Sequence, residues 1–152
     1  HIQAPRYWEM GDSQEADSRD FKWNNYISRY HMRHIDLMDL LAKFSGRANA
    51  PLDALAKLCG FPGKMGMDGG QVWQGFLDGK IKEIRDYCET DVVNTYLVYC
   101  RFQRMRGGVS PEEYDEEIQF VKNELLKESK TPNGAFWQEY LNNFSTDLKD
   151  SL

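Results

Sequence analysis

Tyr87 and Asp91 are the pair of side chains in this sequence whose types and spacing could do chemistry. They lie four residues apart in a stretch of helical periodicity, so they project from one face of a helix about one turn apart. A carboxylate can hold a hard divalent cation and a phenolic hydroxyl can orient a water molecule, which suits metal-assisted phosphodiester hydrolysis. The same spacing also arises when an exposed Asp follows a Tyr at the edge of a core, so the pair alone leaves both interpretations open.

A long helix is the element that must position this pair. Hydrophobic periodicity predicts it from about Lys80 to Arg106, where Gly107 and Gly108 follow. The pair belongs to a row beside the predicted buried face, where a side chain can be held by packing and still reach a cleft. The predicted buried face consists of Ile81, Ile84, Cys88, Val92, Thr95, Tyr99 and Phe102, and the adjacent row of Tyr87, Asp91, Asn94 and Val98.

Shorter helices are predicted on both sides of the long one, so the chain is expected to be mostly α, with about six helices and one or two short strands. The clearest helix start is Ser110-Pro111-Glu112-Glu113, which forms a capping box. A short strand is predicted at Arg33-His34-Ile35-Asp36. The predicted shorter helices are Leu37 to Gly46, Pro51 to Gly60, Val72 to Gly79, Ser110 to Glu128 and Phe136 to Leu148. The expected buried face of the Pro51 helix is Leu52, Leu55, Ala56 and Leu58, and the helix that follows the glycine-rich segment carries Val72, Trp73, Phe76 and Leu77.

Bulk composition indicates one globular domain rather than a disordered or membrane protein. The chain has 152 residues, of which 41% are hydrophobic and 28% charged, and no apolar stretch approaches the roughly 18 residues that a membrane span needs. The net charge of −5 argues against a broad, non-specific grip on nucleic acid, although a metal-dependent nuclease needs only a local basic rim. Three cysteines without a CxxC pair favour a reducing compartment, so the expected localisation is cytoplasmic.

Basic residues near the pair are candidates for contacting a nucleic-acid substrate. Lys64 lies in the glycine-rich segment 60–70, which is expected to be a mobile loop, and Lys80, Lys82 and Arg85 open the long helix. The segment is not a nucleotide-binding P-loop, because Lys64 is not followed by Ser or Thr. Two interpretations stay open. These basic residues, including Lys64 and Arg85, either line a path for phosphates or belong to a solvated charged face.

Other residues also have a structural and a functional interpretation. Asp36 and Asp39 suit the first turn of a helix, although Asp36 could instead be a further site carboxylate. His31 and His34 could bind a transition metal if their segment were helical, but a structural or surface role fits better without a nearby cysteine. Large aromatics belong to a core more often than they stack on unpaired bases; those in question are Tyr7, Trp23, Phe61 and Trp73.

Blocks of sequence within about residues 1–118 match one known family. The blocks are Ala4-Pro5-Arg6-Tyr7-Trp8, residues 21–31 from Phe21 to His31, His34-Ile35-Asp36-Leu37-Met38-Asp39, residues 60–66 from Gly60 to Gly66, and residues 85–92 from Arg85 to Val92. Together they resemble the predicted nucleases related to the proofreading 3′–5′ exonuclease domain of family B DNA polymerases, in the ribonuclease H-like exonuclease superfamily.

The resemblance implies an α/β ribonuclease H-like fold for the parent enzyme and 3′–5′ hydrolysis of DNA from a single-stranded or frayed 3′ end. In that superfamily four carboxylates hold two Mg²⁺ or Mn²⁺ ions, and YxxxD is the third of three motifs that carry them. The resemblance makes Asp91 a metal ligand and Tyr87 the residue that positions the attacking water.

The first two acidic motifs of that family have no counterpart here, since Asp12, Asp17 and Asp20 lie in polar loop sequence. The chain starts at His1 without a methionine, so we expect the C-terminal part of the exonuclease domain in residues 1–108 and a helical extension in residues 109–152. We expect negligible nuclease activity from this chain alone, and self-association through an apolar surface that a missing sheet leaves exposed. The alternative is a non-catalytic helical module that binds a protein or a nucleic acid.

Overall fold

The computed structural model describes residues 3–11, 16–31 and 33–144. The chain divides into two compact units, His1–Asn49 and Ala50–Leu152. The predicted domain boundary between residues 108 and 109 does not coincide with this division and stays a prediction. Within the described residues, no helix is both long enough and apolar enough to span a bilayer.

The first unit is organised around Phe21, which is 2% exposed. The guanidinium of Arg33 lies 3.6 Å from the centroid of the Phe21 ring and donates to the Asp20 carboxylate at 2.5 Å. A cation held against an aromatic face and paired with a carboxylate stabilises a unit whose described part has few buried aliphatic residues. Its helices are the 3₁₀-helices Pro5–Trp8 and Ala16–Lys22 and the α-helix α1, Leu37–Leu41.

The strand predicted at residues 33–36 is wrong, because the described residues contain no β-strand. The backbone bends instead, and Nδ1 of His31 accepts hydrogen bonds from the main-chain N–H groups of Arg33 and His34 at 3.0 and 3.4 Å. Asp36 then caps α1, since its carboxylate accepts a hydrogen bond from the N–H of Asp39 at 3.1 Å. Of the two interpretations of Asp36, the structure confirms the helix start.

The second unit is an assembly of helices around the longest one. Helix α4 packs against α2, α3 and α5, and α5 packs against α6. With α1, these make six α-helices in the described part of the chain, which confirms the mostly α prediction. Their bounds are α2 Leu52–Leu58, α3 Val72–Leu77 after the 3₁₀-helix Gly69–Gln71, α4 Ile81–Met105, α5 Pro111–Glu128 and α6 Phe136–Asn142.

Local sequence signals account for several of these helix ends. The Ser110 hydroxyl accepts from the N–H of Glu113 at 3.1 Å, and the Glu113 carboxylate accepts from the N–H of Ser110 at 2.7 Å, which is the predicted capping box. Gly79 and Gly107, which follow α3 and α4, have φ of 74° and 75°, where a side chain would be strained.

The core of the second unit joins α6 to α5 and α4. Tyr140 is fully buried, Trp137 is 4% exposed, and their ring centroids lie 5.3 Å apart in an edge-to-face arrangement. Both pack with Leu125 of α5. Helix α6 ends at Asn142, and Leu148, which was predicted to belong to it, lies outside the described residues. Partly buried residues complete the cluster: Met65, Val93, Val121, Phe136, Leu141 and Phe144.

The buried face of α4 differs from the predicted one. Ile81 and Val92 are 55% and 69% exposed and Cys88 is exposed, so the predicted stripe is largely on the surface. The packed face runs instead along the row that begins at Tyr87. Its buried members are Thr90, Asn94, Leu97 and Val98, with Cys100 also buried. The prediction assigned the buried face from the spacing of apolar residues. Thr90 and Asn94 are polar, and they can be buried because hydrogen bonds satisfy their polar groups.

Helix α3 and the end of α2 also expose large apolar residues, among them Leu58 and Trp73, which were expected to be buried. Trp73, Phe76 and Leu77 are 68%, 55% and 59% exposed, and Leu58 is 77% exposed. Gly75 is the buried residue of α3, and a Cβ added there would lie 3.0 Å from the Met67 side chain and at an ordinary contact distance of 3.7 Å from that of Ile84. The helix therefore packs through its glycine, beside Met67 and Ile84, and its aromatic face is left exposed.

Candidate active site

Tyr87 and Asp91 meet on α4 as their spacing predicts. Interaction with the Asp91 carboxylate, together with partial burial, raises the pKa of the Tyr87 phenol to about 12. The phenol is therefore protonated at neutral pH. Its proton can be donated to Asp91, and its oxygen can accept a hydrogen bond from a water molecule.

The glycine-rich segment closes over the Tyr87 hydroxyl. A Cβ added to Gly69 would lie 3.5 Å from the hydroxyl oxygen, so the main chain of the segment passes beside the phenol. Asp68 fixes the turn there, because its carboxylate accepts from the N–H of Gly70 at 2.8 Å and its own N–H donates to the Gln71 side chain at 2.9 Å. The resulting turn starts the helix that precedes α3.

Asn94 anchors the start of the same segment to α4. Its Nδ2 donates to the carbonyl of Gly63 at 2.7 Å, and its Oδ1 accepts from the N–H of Gly63 at 3.2 Å. The buried hydroxyl of Tyr140 donates to the same Oδ1 at 2.8 Å. Asn94 is 1% exposed, so one buried amide ties the loop, α4 and α6 together two turns beyond Tyr87.

A cavity of about 650 Å³ lies between the loop, α3, α4 and α6, and Tyr87 is part of its wall. Carboxylates dominate the polar groups, with Lys80 as the cation among them. Among the carboxylates that line the cavity, Glu83 is the one that the sequence spacing could have placed near Tyr87, since it lies one turn before Tyr87 on α4. The lining carboxylates are Asp78, Glu83, Asp86 and Glu139, and the apolar part of the wall includes Met65, Met67 and Phe136.

The donor groups of the described residues do not form a two-metal site. No group of three or more His, Cys, Asp or Glu side chains in this part of the chain is arranged to hold a metal ion. Asp91 with Tyr87 supplies one carboxylate, and a pair of divalent cations needs several. The predicted ligand Asp91 therefore does not belong to a group of three or more potential metal ligands within the described residues.

The predicted substrate-binding residues do not line the cavity that Tyr87 lines. The main-chain N–H of Lys64 donates to Asp53 at 2.6 Å, and the Lys64 side chain is exposed. Arg85 pairs with Glu89 at 2.9 Å and borders a separate apolar groove on α4. Contact of Lys64 or Arg85 with a substrate stays a prediction.

The aromatic residues considered for base stacking divide into two groups. Phe61 is 5% exposed and belongs to the interior, as expected. Tyr7, Trp23 and Trp73 are 44%, 82% and 68% exposed, so the expectation that they belong to a core is wrong. Trp73 stacks on Phe76 with ring centroids 5.9 Å apart.

His31 and His34 approach each other without forming a metal site. Their ring centroids lie 4.3 Å apart, and no third ligand joins them among the described residues. His31 is buried, and its Nδ1 accepts two main-chain hydrogen bonds, so its proton belongs on Nε2. Burial first, then the nearby His34 and Arg33, lower the pKa of His31.

The stability of the first unit is expected to fall as the pH drops below about 6.5, the usual pKa of an unfolded histidine. A folded pKa below the unfolded one means that the unfolded chain binds the proton more tightly. The contribution of His31 is therefore complete above the unfolded pKa and is lost as the pH falls through the folded pKa. Titration of the imidazole C–H resonances by NMR measures this, with the urea-unfolded chain as reference. A His31 midpoint at or above the unfolded value would contradict it.

These features define a helical domain whose longest helix carries a hydroxyl–carboxylate pair beside a glycine-rich loop. The chain belongs to the family of predicted 3′–5′ exonucleases related to the exonuclease domain of PolB, whose model matches residues 1–144. The family match extends beyond residue 118, to which the resemblance was expected to reach, and it includes α5 and α6. Comparison with curated proteins and with solved structures gives no significant match.

Proposed function

We propose that this chain carries one part of the active site of a metal-dependent 3′–5′ exonuclease that acts on a single-stranded or frayed 3′ end. The observation that supports it best is that Tyr87 and Asp91 interact one turn apart on α4, in a chain of the PolB-related exonuclease family. A ribonuclease H-like α/β fold of the complete enzyme is part of the proposal.

Within this proposal, Tyr87 and Asp91 have distinct roles. The protonated phenol donates to Asp91 and offers its oxygen lone pair to the attacking water, so it orients the water rather than acting as a base. Asp91 contributes one ligand for Mg²⁺ or Mn²⁺, a cation that would supply charge stabilisation for the phosphodiester. The loop beside Gly69 holds the phenol in place, and Asn94 holds the loop.

The proposal includes negligible activity for this chain alone, because the described residues provide too few carboxylates for two cations. The assay measures release of 3′-terminal nucleotides from single-stranded and 3′-mismatched DNA with Mg²⁺, Mn²⁺ or EDTA. We expect the chain to release no more than its Asp91→Asn variant. Robust release that Asp91→Asn abolishes and Asp115→Asn, on α5, leaves intact would contradict this part of the proposal.

A binding measurement tests the exonuclease role even without turnover. Fluorescence anisotropy compares a labelled oligonucleotide that has a 3′ hydroxyl with a circular strand of the same composition. The proposal expects the chain to prefer the free 3′ end when Mn²⁺ is present. The Asp91→Asn variant should bind at least about tenfold more weakly, because it loses one ligand to a doubly charged cation. Tyr87→Phe should bind the strand but position water poorly.

A non-catalytic helical binding module is the second candidate. It is favoured by the incomplete set of carboxylates among the described residues. In that case binding of a nucleic acid or protein would not depend on Mn²⁺, on Asp91 or on a free 3′ end. The anisotropy experiment therefore separates the two candidates.

A further inference from the structure

Helix α4 carries an exposed row of residues that has the spacing of a helix–helix interface. We call it the α4 seam; it consists of Ile81, Arg85, Cys88, Val92 and Thr95. The steps alternate between four and three residues, as they do where one helix packs lengthwise on another. Ile81 and Val92 are 55% and 69% exposed, and a largely apolar groove runs beside Cys88 and Val92. Exposed apolar rows of this kind on soluble chains mark interaction sites.

The charges beside the seam fit a second copy in antiparallel orientation. In an antiparallel pair related by a twofold axis, the residue numbers of two facing residues always add to the same sum. Placing Ile81 opposite Val92 of the second copy therefore brings Arg85 to within one residue of the second copy's Glu89 along the helix. Arg85 and Glu89 already pair within the helix at 2.9 Å, so both side chains lie on the same edge of the seam. The twofold axis repeats each contact, so the dimer contains two apolar pairs of Ile81 with Val92 and two oppositely charged pairs of Arg85 with Glu89.

We propose that the α4 seam is a homodimer interface in which α4 packs antiparallel against α4 of a second copy of this chain. The twofold axis then passes between Asp86 and Tyr87, and the two Cys88 residues lie roughly 4.5 Å apart along the helix direction. With helix axes about 8–10 Å apart, the two thiols are within reach of a short cross-linker. This surface is separate from the cavity that Tyr87 lines.

Cys88 supplies a native reporter for this geometry, because it is exposed whereas Cys100 is buried and Cys59 is half-buried. A short bis-maleimide should join two copies of the native chain, and the cross-linked species should disappear in Cys88→Ser. Sedimentation equilibrium of the untreated chain should give twice the monomer mass. A monomeric chain at high micromolar concentration, or the same cross-linking yield in Cys88→Ser, overturns the proposal.

Substitutions on and off the seam separate this interface from non-specific association. Val92→Glu and Ile81→Glu should each weaken self-association by more than tenfold and abolish Cys88 cross-linking. Met105→Glu is the matched control, since Met105 is 75% exposed on the same helix and lies off the seam. Circular dichroism checks that each variant is folded. An effect of Met105→Glu equal to that of Val92→Glu would refute the assignment, as would dimers that persist in both seam variants.

Mixing two charge variants tests the register itself. The Arg85→Glu variant has carboxylates at positions 85 and 89, and the Glu89→Arg variant has guanidiniums at the same two positions. Each variant alone should self-associate several-fold more weakly than the native chain, because like charges face each other, whereas the mixture should form a mixed dimer. Failure of the mixture to associate better than either variant alone would rule out the antiparallel register.

Discussion

Replacement of Asn94 by leucine is expected to lower the free energy of unfolding of the Ala50–Leu152 unit by about 3–5 kcal/mol. The substitution removes hydrogen bonds to both the N–H and the carbonyl of Gly63 and the acceptor for the Tyr140 hydroxyl. Each of these groups is then buried without a partner, and leucine has no polar atom to replace the amide. Urea unfolding followed by circular dichroism measures the loss.

Two control substitutions distinguish the loss of the buried hydrogen bonds from the general effect of replacing asparagine by leucine. Asn123→Leu removes an exposed amide on α5 that accepts a hydrogen bond from the exposed Gln119 side chain, so it should change stability by less than about 0.5 kcal/mol. Tyr140→Phe removes one of the three hydrogen bonds and should cost about 1 kcal/mol, since Asn94 Oδ1 still accepts from Gly63. Equal effects of Asn94→Leu and Asn123→Leu would show that the network does not hold the loop.

The second large effect is expected for Gly134→Ala, at about 3 kcal/mol of destabilisation. A Cβ at this position would lie 2.0 Å from the carbonyl oxygen of Glu128, which belongs to the last turn of α5. The obstacle is main chain, so a side-chain rotation cannot relieve it. The N–H of Trp137 donates to the carbonyl of Gly134 at 2.9 Å, so a shift of Gly134 also displaces the start of α6.

Gly69→Ala is the matched control for this substitution. Its added Cβ would make ordinary contact with the Tyr87 hydroxyl at 3.5 Å, and we expect a stability change within about 0.5 kcal/mol. Thermal unfolding of both variants, followed by circular dichroism, distinguishes them. Near-native stability of Gly134→Ala would mean that the turn between α5 and α6 relaxes without displacing the core around Trp137.

The ends of the elements were largely predictable because short-range chemistry determines them. Ser110 and Glu113 satisfy each other's main-chain N–H groups within four residues, and α5 begins where the capping box predicts. The long helix was predicted to run from Lys80 to Arg106 and spans Ile81–Met105. The predicted strand near His34 failed because a strand needs a partner strand, and residues 33–36 bend around His31 instead.

The faces of the helices were harder to predict because burial depends on distant residues. The row Ile81, Cys88 and Val92 was favoured by its apolar character, whereas the structure buries Thr90 and Asn94. Asn94 can be buried because Gly63, 31 residues earlier, and Tyr140, 46 residues later, satisfy its amide. No local pattern around residue 94 reveals those partners.

The sequence by itself determined the helices and the family, and it paired Tyr87 with Asp91, because a four-residue step on a helix brings two side chains together without help from the rest of the chain. Only the tertiary structure decided what surrounds them. The glycine-rich loop reaches the Tyr87 hydroxyl because the buried Asn94 amide holds Gly63. Glu139 joins Glu83 in the cavity because α6 packs on the core through Trp137 and Tyr140. These are contacts between residues far apart in sequence, and their energies depend on packing that no local spacing encodes.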